Sequence, residues 1–232
     1  MAERLEDTLW RHFFTSARKN YNPYMVKLVE YPEYIVYDKD IMNSQKGKWK
    51  EFFKNDNPIY LEIGSGSGNF AIGMSKKYPD RNHMALELRF KRLVLSANKA
   101  KRDNLNNVLF LRRRGEEIVD FIAPGEIEGL YINFPDPWEG NEKNRILQPS
   151  LFDLLNIIMK KGGKLFFKTD HDNYYRDVLE FAKDLDGYQV IYHTDDLHKS
   201  PKAVDNIRTE FEDLFICKHN KNINYIEIEK TK

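Results

Sequence analysis

From Pro58 onward the chain alternates short apolar runs with longer segments of mixed polarity, and the two patterns predict different elements. Ile59 to Ile63, Asn82 to Leu88, Val108 to Leu111, Gly129 to Asn133 and Lys164 to Lys168 are short, apolar-rich runs of strand length. Between them Phe70 to Lys77, Lys91 to Arg102 and Leu151 to Lys160 carry apolar positions at helical spacing. Tyr78-Pro79 ends the first of these helices, and Gly162-Gly163 turns the chain into the fifth strand. Tyr174 to Leu185 predicts a further helix, and Tyr188 to Tyr192 with Tyr225 to Glu229 predicts a late strand pair. Strand and helix in strict succession call for a parallel sheet with helices on both faces. Residues 1–50, rich in Tyr, Trp and Phe but without clear periodicity, read as an N-terminal extension to a single domain over residues 51–232.

Composition narrows the class without naming a partner. At 232 residues, 41% hydrophobic and 31% charged, the chain is expected to be soluble, globular and cytoplasmic. No apolar run reaches the roughly 18–20 residues that span a bilayer, so no membrane partner is expected. The segment Met1 to Asn20 lacks the apolar centre of a signal peptide. A single cysteine, Cys217, excludes an internal disulfide and a cysteine zinc site, and no metal is expected. Lysine plus arginine (37) nearly balances aspartate plus glutamate (36), so binding of nucleic acid must rest on local charge. Arg89 with Lys91-Arg92, then Lys99, Lys101 and Arg102, and the run Arg112-Arg113-Arg114 supply such clusters. Helix faces carry solvated lysines in any case, and the run of arginines at a strand end is the less ordinary feature.

Parallel sheets bind ligands beyond the carboxyl ends of their strands, near the point where strand order reverses. Each predicted strand end here carries chemistry. The first ends Glu62-Ile63-Gly64-Ser65-Gly66-Ser67-Gly68, three glycines at alternate positions that let a ligand lie on the backbone. This is not the Gly-x-Gly-x-x-Gly spacing of a dinucleotide site, and Glu62 would repel a pyrophosphate while suiting a cation. S-adenosylmethionine, with its ammonium and sulfonium, fits both facts better than NAD does; a merely flexible Gly/Ser loop is the plainer alternative. Glu87 ends the second strand and can accept from both ribose hydroxyls of any nucleoside cofactor. The third strand ends in Arg112 to Arg114 and Gly115, where an adenine would lie.

The fourth strand delivers Asn133-Phe134-Pro135-Asp136-Pro137-Trp138. Two prolines bracket one acid and stiffen it, because each fixes its own φ and restricts the residue before it. Beside Asp136 the flat face of Trp138 suits a planar heterocycle, although a hairpin turn also uses Pro-Asp-Pro. The fifth strand leads to Thr169-Asp170-His171-Asp172. His171 reads as a polar loop histidine rather than a base or metal ligand, since neighbours on an extended chain point to opposite sides. Thr209-Glu210-Phe211-Glu212 mixes hydroxyl, acid and ring, and Thr209 with Glu212 also has the spacing of a helix capping box.

Together these segments resemble the bacterial tRNA (guanine-N7-)-methyltransferase family. The motifs that carry the resemblance are Leu61-Glu62-Ile63-Gly64, Glu87-Leu88, Asn133 to Trp138, Lys168-Thr169-Asp170 and Thr209 to Glu212, spread from about Lys48 to Phe215. The resemblance implies a Rossmann-like class I methyltransferase, an α/β fold with a mostly parallel sheet, helices on both faces and an antiparallel C-terminal strand. It implies S-adenosylmethionine as cofactor, tRNA as partner, a guanine of the variable loop as acceptor, and a monomer or homodimer. Carried over residue by residue, it puts Glu62, Gly64, Gly66, Gly68, Glu87, Arg114, Gly115 and Asp136 on the cofactor. It makes Asp136 catalytic, and places Gly140, Lys143, Arg145, Asp170, Thr209, Glu210, Phe211 and Glu212 on the substrate side. Two departures stand out. Arg114-Gly115 replaces the family's Asn or Asp followed by Ala, and Glu139 to Arg145 replaces a strongly basic tract, with Gly140 at the position of a lysine. Fewer phosphate contacts imply weaker tRNA binding and a flatter salt dependence, unless Lys143, Arg145 and Arg112 to Arg114 compensate. The competing readings are an RNA-binding subunit of this fold that has lost transfer, a methyltransferase for another substrate, and an NAD-dependent dehydrogenase.

Overall fold

The computed structural model describes residues 22–213 and 221–232; the expectations placed on Met1 to Asn20 and on Cys217 lie outside them. Among the described residues eight strands form one sheet: β1 (Ile35–Val36), β2 (Ile59–Ile63), β3 (Asn82–Leu86), β4 (Val108–Leu111), β5 (Ile127–Asn133), β6 (Met159–Thr169), β7 (Tyr188–Thr194) and β8 (Asn224–Lys230). Their order is β1-β4-β3-β2-β5-β6-β8-β7. The pairs from β1 through β6 are parallel, and β8 runs antiparallel to both β6 and β7. From β2 the chain builds outward to β3 and β4, then returns to lay β5 and β6 on the other side. The order therefore reverses between β2 and β5.

Among the described residues the helices are α1 (Pro23–Lys27), α2 (Lys39–Ser44), α3 (Trp49–Phe53), α4 (Asn69–Lys77), α5 (Phe90–Arg102), α6 (Ile118–Phe121), α7 (Pro149–Ile158) and α8 (Asp172–Ala182), of which α4, α5, α7 and α8 are the predicted ones. β3 and β4 are buried along their whole length, as strands covered on both faces must be. Their side chains alternate between two cores. Met84, Leu86, Leu109 and Leu111 pack with Phe121, Phe152 and Trp49 on one face, while Ala85, Val108 and Phe110 meet Leu93 and Ala97 of α5 on the other. A contact of this size, with each apolar side chain worth about 1.5–3 kcal/mol on burial, fixes the sheet register.

Residues 22–50, expected as an extension, contribute to the same body. Ile35 and Val36 pair with Phe110 and Leu111 as the edge strand, and Trp49 is buried with its indole N–H on the Phe121 carbonyl at 2.7 Å. Periodicity missed them because a two-residue strand and helices of five or six residues are too short to show one. The glycine pair 162–163 sits inside β6 rather than ahead of it, as an irregularity where the partner of Ile127 is Met159 and that of Gly129 is Lys164.

Candidate functional site

Alternation along β2 sends Leu61 into the core and Glu62 to the opposite face, where Asn133 of β5 stands beside it. Asn133 Nδ2 donates to Glu62 Oε1 at 3.0 Å, and Glu62 Oε2 is buried with no hydrogen-bond partner among the described residues. Burial pushes the Glu62 carboxyl up to about 7, against the Asn133 hydrogen bond and the nearby Lys168 charge. Immediately after β2 the amides of Gly64 and Ser65 both donate to the Leu86 carbonyl, at 3.0 and 2.9 Å. This bends the loop around the end of β3. Gly64 has φ +82°, and a Cβ built there would meet nothing within 4 Å, so its backbone is open to a ligand. Gly68 differs: at φ +78° a Cβ would come to 2.5 Å from Ser96 Oγ, so this glycine lets α4 and α5 approach. Gly66, at φ +56°, completes the turn.

At the end of β3, Glu87 Oε1 accepts from the amides of Leu88 (2.8 Å) and Arg89 (2.9 Å), which aims the carboxylate beside the glycine loop. Its Oε2 lies 3.5 Å from Arg92 Nη1. At the end of β4 the three arginines of the run lie in different surroundings. The Arg112 guanidinium lies 4.2 Å from the Phe90 ring centre, and Arg113 is buried between Asp120 (2.8 Å) and Glu117 (3.0 Å). Arg114 alone of the three is exposed. Gly115 is buried against Ile63 and Ile146, where a Cβ would lie 3.0 and 3.1 Å from their side chains. One unpaired buried carboxylate oxygen, one acid at the next strand end and open glycine backbone fit a ligand that carries positive charge and vicinal hydroxyls.

Across the reversal point, β5 ends in a turn held at both ends. The Phe134 amide donates to the Lys168 carbonyl at 2.8 Å, and Arg145 Nε donates to the Pro137 carbonyl at 2.7 Å. Phe134 (φ +51°) and Trp138 (φ +47°) both occupy the left-handed region, at a cost of order 1–3 kcal/mol each. Such strain persists only where surrounding contacts over-determine it, and it projects Asp136 outward. Asp136 is exposed and makes no hydrogen bond or ion pair among the described residues. Trp138 is 47% exposed. Phe134 packs on Phe211, ring centres 4.9 Å apart, which brings residues 209–212 against the turn.

The other predicted substrate residues divide into two kinds. Asp170 is half-buried and has no hydrogen bond or ion pair among the described residues. Glu210 accepts from Ser67 Oγ, linking residues 209–212 to the glycine loop. Gly140 (φ +75°) and Lys143 stand exposed on the outer arm after Trp138. Lys143, Trp138, Glu116 and Arg145 line a cleft of about 540 Å³ there.

Arg145 and Glu212 are held within the protein. Arg145 is 6% exposed, pairs with Asp177 at 2.7 Å and lies over Tyr174, so its charge braces the turn. Glu212 is fully buried, and its oxygens take His198 Nε2 (2.5 Å), Asn206 Nδ2 (2.7 Å), Lys168 Nζ (3.2 Å) and the Thr209 amide (3.3 Å). The Glu212 amide donates back to Thr209 Oγ1 at 2.9 Å, so the capping-box reading of this pair holds. His171 also serves the backbone: Nδ1 accepts from the Tyr174 amide at 3.1 Å to cap α8, and Nε2 meets Glu139 at 2.7 Å. Among the described residues no group of acids, histidines and cysteines is arranged to hold a metal, and no helix is long and apolar enough to cross a membrane.

Sequence reasoning quoted Asn133 and Lys168 but gave neither a role. Each is a polar residue ending an apolar strand, a signal that marks position without saying what the side chain meets.

A family described as putative methyltransferase matches residues 56–225. A bifunctional glycosyltransferase/methyltransferase of Fusobacterium nucleatum is 63% identical over 222 residues, 96% of this chain and 35% of that protein. The chain thus spans about a third of that relative's length. The tRNA (guanine-N(7)-)-methyltransferase of Clostridioides difficile is 35% identical over 193 residues, covering 82% of this chain and 88% of that protein. Among solved structures, the 16S rRNA methyltransferase KamB superposes with a TM-score of 0.58 at 14% identity, covering 83% of this chain and 92% of that one, which shows the shared fold.

Proposed function

The chain belongs to the tRNA (guanine-N(7)-)-methyltransferase family, and from that membership we infer that it transfers a methyl group from S-adenosylmethionine to N7 of a guanine in the variable loop of tRNA. The observation that carries the reading is the division of acids across the strand-order reversal. Glu62 is buried with one oxygen unpaired, while Asp136 is exposed, unpaired and held out by a strained turn. A buried acid suits a cation that must be gripped, and an exposed one suits a base that must come and go.

Bound S-adenosylmethionine supplies a methyl group on a positively charged sulfur. Glu62 would hold the cofactor's ammonium and Glu87 its ribose hydroxyls, and the open Gly64 backbone would let it lie close. Guanine N7 carries an in-plane lone pair on the major-groove edge, so it attacks without first losing a proton. The chain therefore need not supply a base at N7. Its task is alignment of nucleophile, methyl carbon and leaving sulfur, the proximity effect. Asp136 accepts from the guanine N1–H and N2 amino group and balances the positive charge that the purine gains. Phe134 with Phe211, and the exposed Trp138 at the end of the same turn, offer ring faces on which an unstacked base rests.

Incubating the protein with unmodified tRNA and labelled cofactor, followed by nucleoside analysis, tests this. Label in 7-methylguanosine is the expected outcome. Cofactor binding in calorimetry without any transfer would instead favour a degenerate RNA-binding subunit.

A further inference from the structure

Residues 205–212, which follow the short turns after β7, run as a strap along α4 from its C-terminal end back toward its start. Asp205 pairs with Lys77 at 2.8 Å, and the Ile207 side chain occupies the space a Cβ on Gly73 would need, 2.5 Å away. The strap ends in the turn that presents Phe211 to Phe134. Its innermost tie is Lys168 of β6. That ammonium is 4% exposed and donates to Asn206 Oδ1 (2.7 Å), the Ile207 carbonyl (2.9 Å) and Glu212 Oε2 (3.2 Å), with Phe70 of α4 5.0 Å below it. An ammonium has three protons, and here all three go to one short segment, which leaves it no freedom to turn. The same residue's carbonyl accepts the Phe134 amide at 2.8 Å. One residue therefore holds both the turn that carries Asp136 and the strap that carries Phe211.

Lining the space with apolar groups would fill it as well, and replacing a buried ion pair that way is often neutral for stability. What an apolar filling lacks is direction. We propose that Lys168 is a positioning residue for methyl transfer, fixing the strap of residues 206–212 against the Phe134–Asp136 turn so that the acceptor base is held at one angle. The proposal rests on the methyl-transfer reading given above. His198 and Asn206 complete the arrangement by occupying the other Glu212 oxygen.

The test is the double variant Lys168→Met/Glu212→Gln, which removes the buried charges while keeping volume. Its Tm should stay near that of the parent. At saturating tRNA and cofactor kcat should fall on the order of 100-fold, as expected when reacting groups are misplaced by about 1 Å. Amides of residues 205–212 should exchange faster with solvent while those of β6 keep their protection. Lys168→Arg serves if the double variant does not fold: it keeps the charge, alters the geometry and should lower kcat at least tenfold with Tm retained. A folded variant with parental kcat and an equally protected strap overturns the proposal. A parent protein that methylates no guanine removes the functional reading beneath it, whereas an active parent beside an equally active variant removes the proposal alone.

Discussion

The cofactor side and the base side of this site are built on different principles. On the proposed cofactor side Glu62, Gly64 and Glu87 themselves face the ligand space, with an unpaired oxygen, open backbone and an aimed carboxylate at the ends of β2 and β3. On the base side the motif residues split. Asp136 and Asp170 carry no partner among the described residues, while Glu212 and Arg145 are buried and fully engaged. A nucleoside of fixed shape can be met by a rigid wall. A base presented by a large RNA needs an edge that projects, and a projecting edge needs braces.

The sharpest break in the comparison is Asp136→Asn. It keeps the turn and removes the charge, so methyl transfer should fall by 10²–10³ while calorimetry shows unchanged cofactor affinity. Equal losses in both would erase the division. Arg145→Met comes next: it frees the Pro137 carbonyl and strands Asp177. Transfer should drop on the order of tenfold, and urea unfolding should show a loss of about 1–3 kcal/mol for the Pro137 carbonyl left without its donor, since Asp177 is itself 58% exposed and keeps its hydration.

Glu62→Gln probes the other wall. In the parent the Glu62 carboxyl titrates near 7, above the ordinary 4.5, so its neutral form favours the folded state at low pH, and that contribution is lost as pH rises from about 4.5 to about 7. Gripping an ammonium requires the ionised form. Cofactor affinity should therefore rise with pH up to about 7, and binding at pH 6 should release close to one proton, measurable by calorimetry in two buffers. The Gln variant should bind about tenfold more weakly and release none.

The smallest expected effect concerns charge alone. Gly140→Lys puts a cation into open space on the outer arm, at the cost of a positive φ. The log–log salt dependence of tRNA binding should steepen by about one, with kcat unchanged.

The glycine loop after β2 and the acids at the ends of β2 and β3 were legible in the sequence, because glycine spacing and strand-end position translate directly into backbone shape and charge. The parallel sheet and the late strand pair followed from the order of apolar runs, and the antiparallel C-terminal strand from the family resemblance. Other features were not readable. Positive φ at Phe134 and Trp138 has no local signature, since aromatics seldom adopt it. Whether an arginine faces solvent or a carboxylate depends on residues far along the chain, as Arg145 with Asp177 and Arg113 with Asp120 illustrate. Thr209 to Glu212 carried both a capping box and a substrate motif, and only packing against Lys168 and Phe134 separated the two.

The central claim, that the exposed edge presents guanine N7 to the methyl group, is tested most directly with two tRNA transcripts that differ at one atom. One carries guanosine in the variable loop and the other 7-deazaguanosine, which replaces N7 by a carbon. The account predicts methyl incorporation into the first, recovered as 7-methylguanosine, and none into the second at equal tRNA affinity. Equal incorporation into both would contradict it.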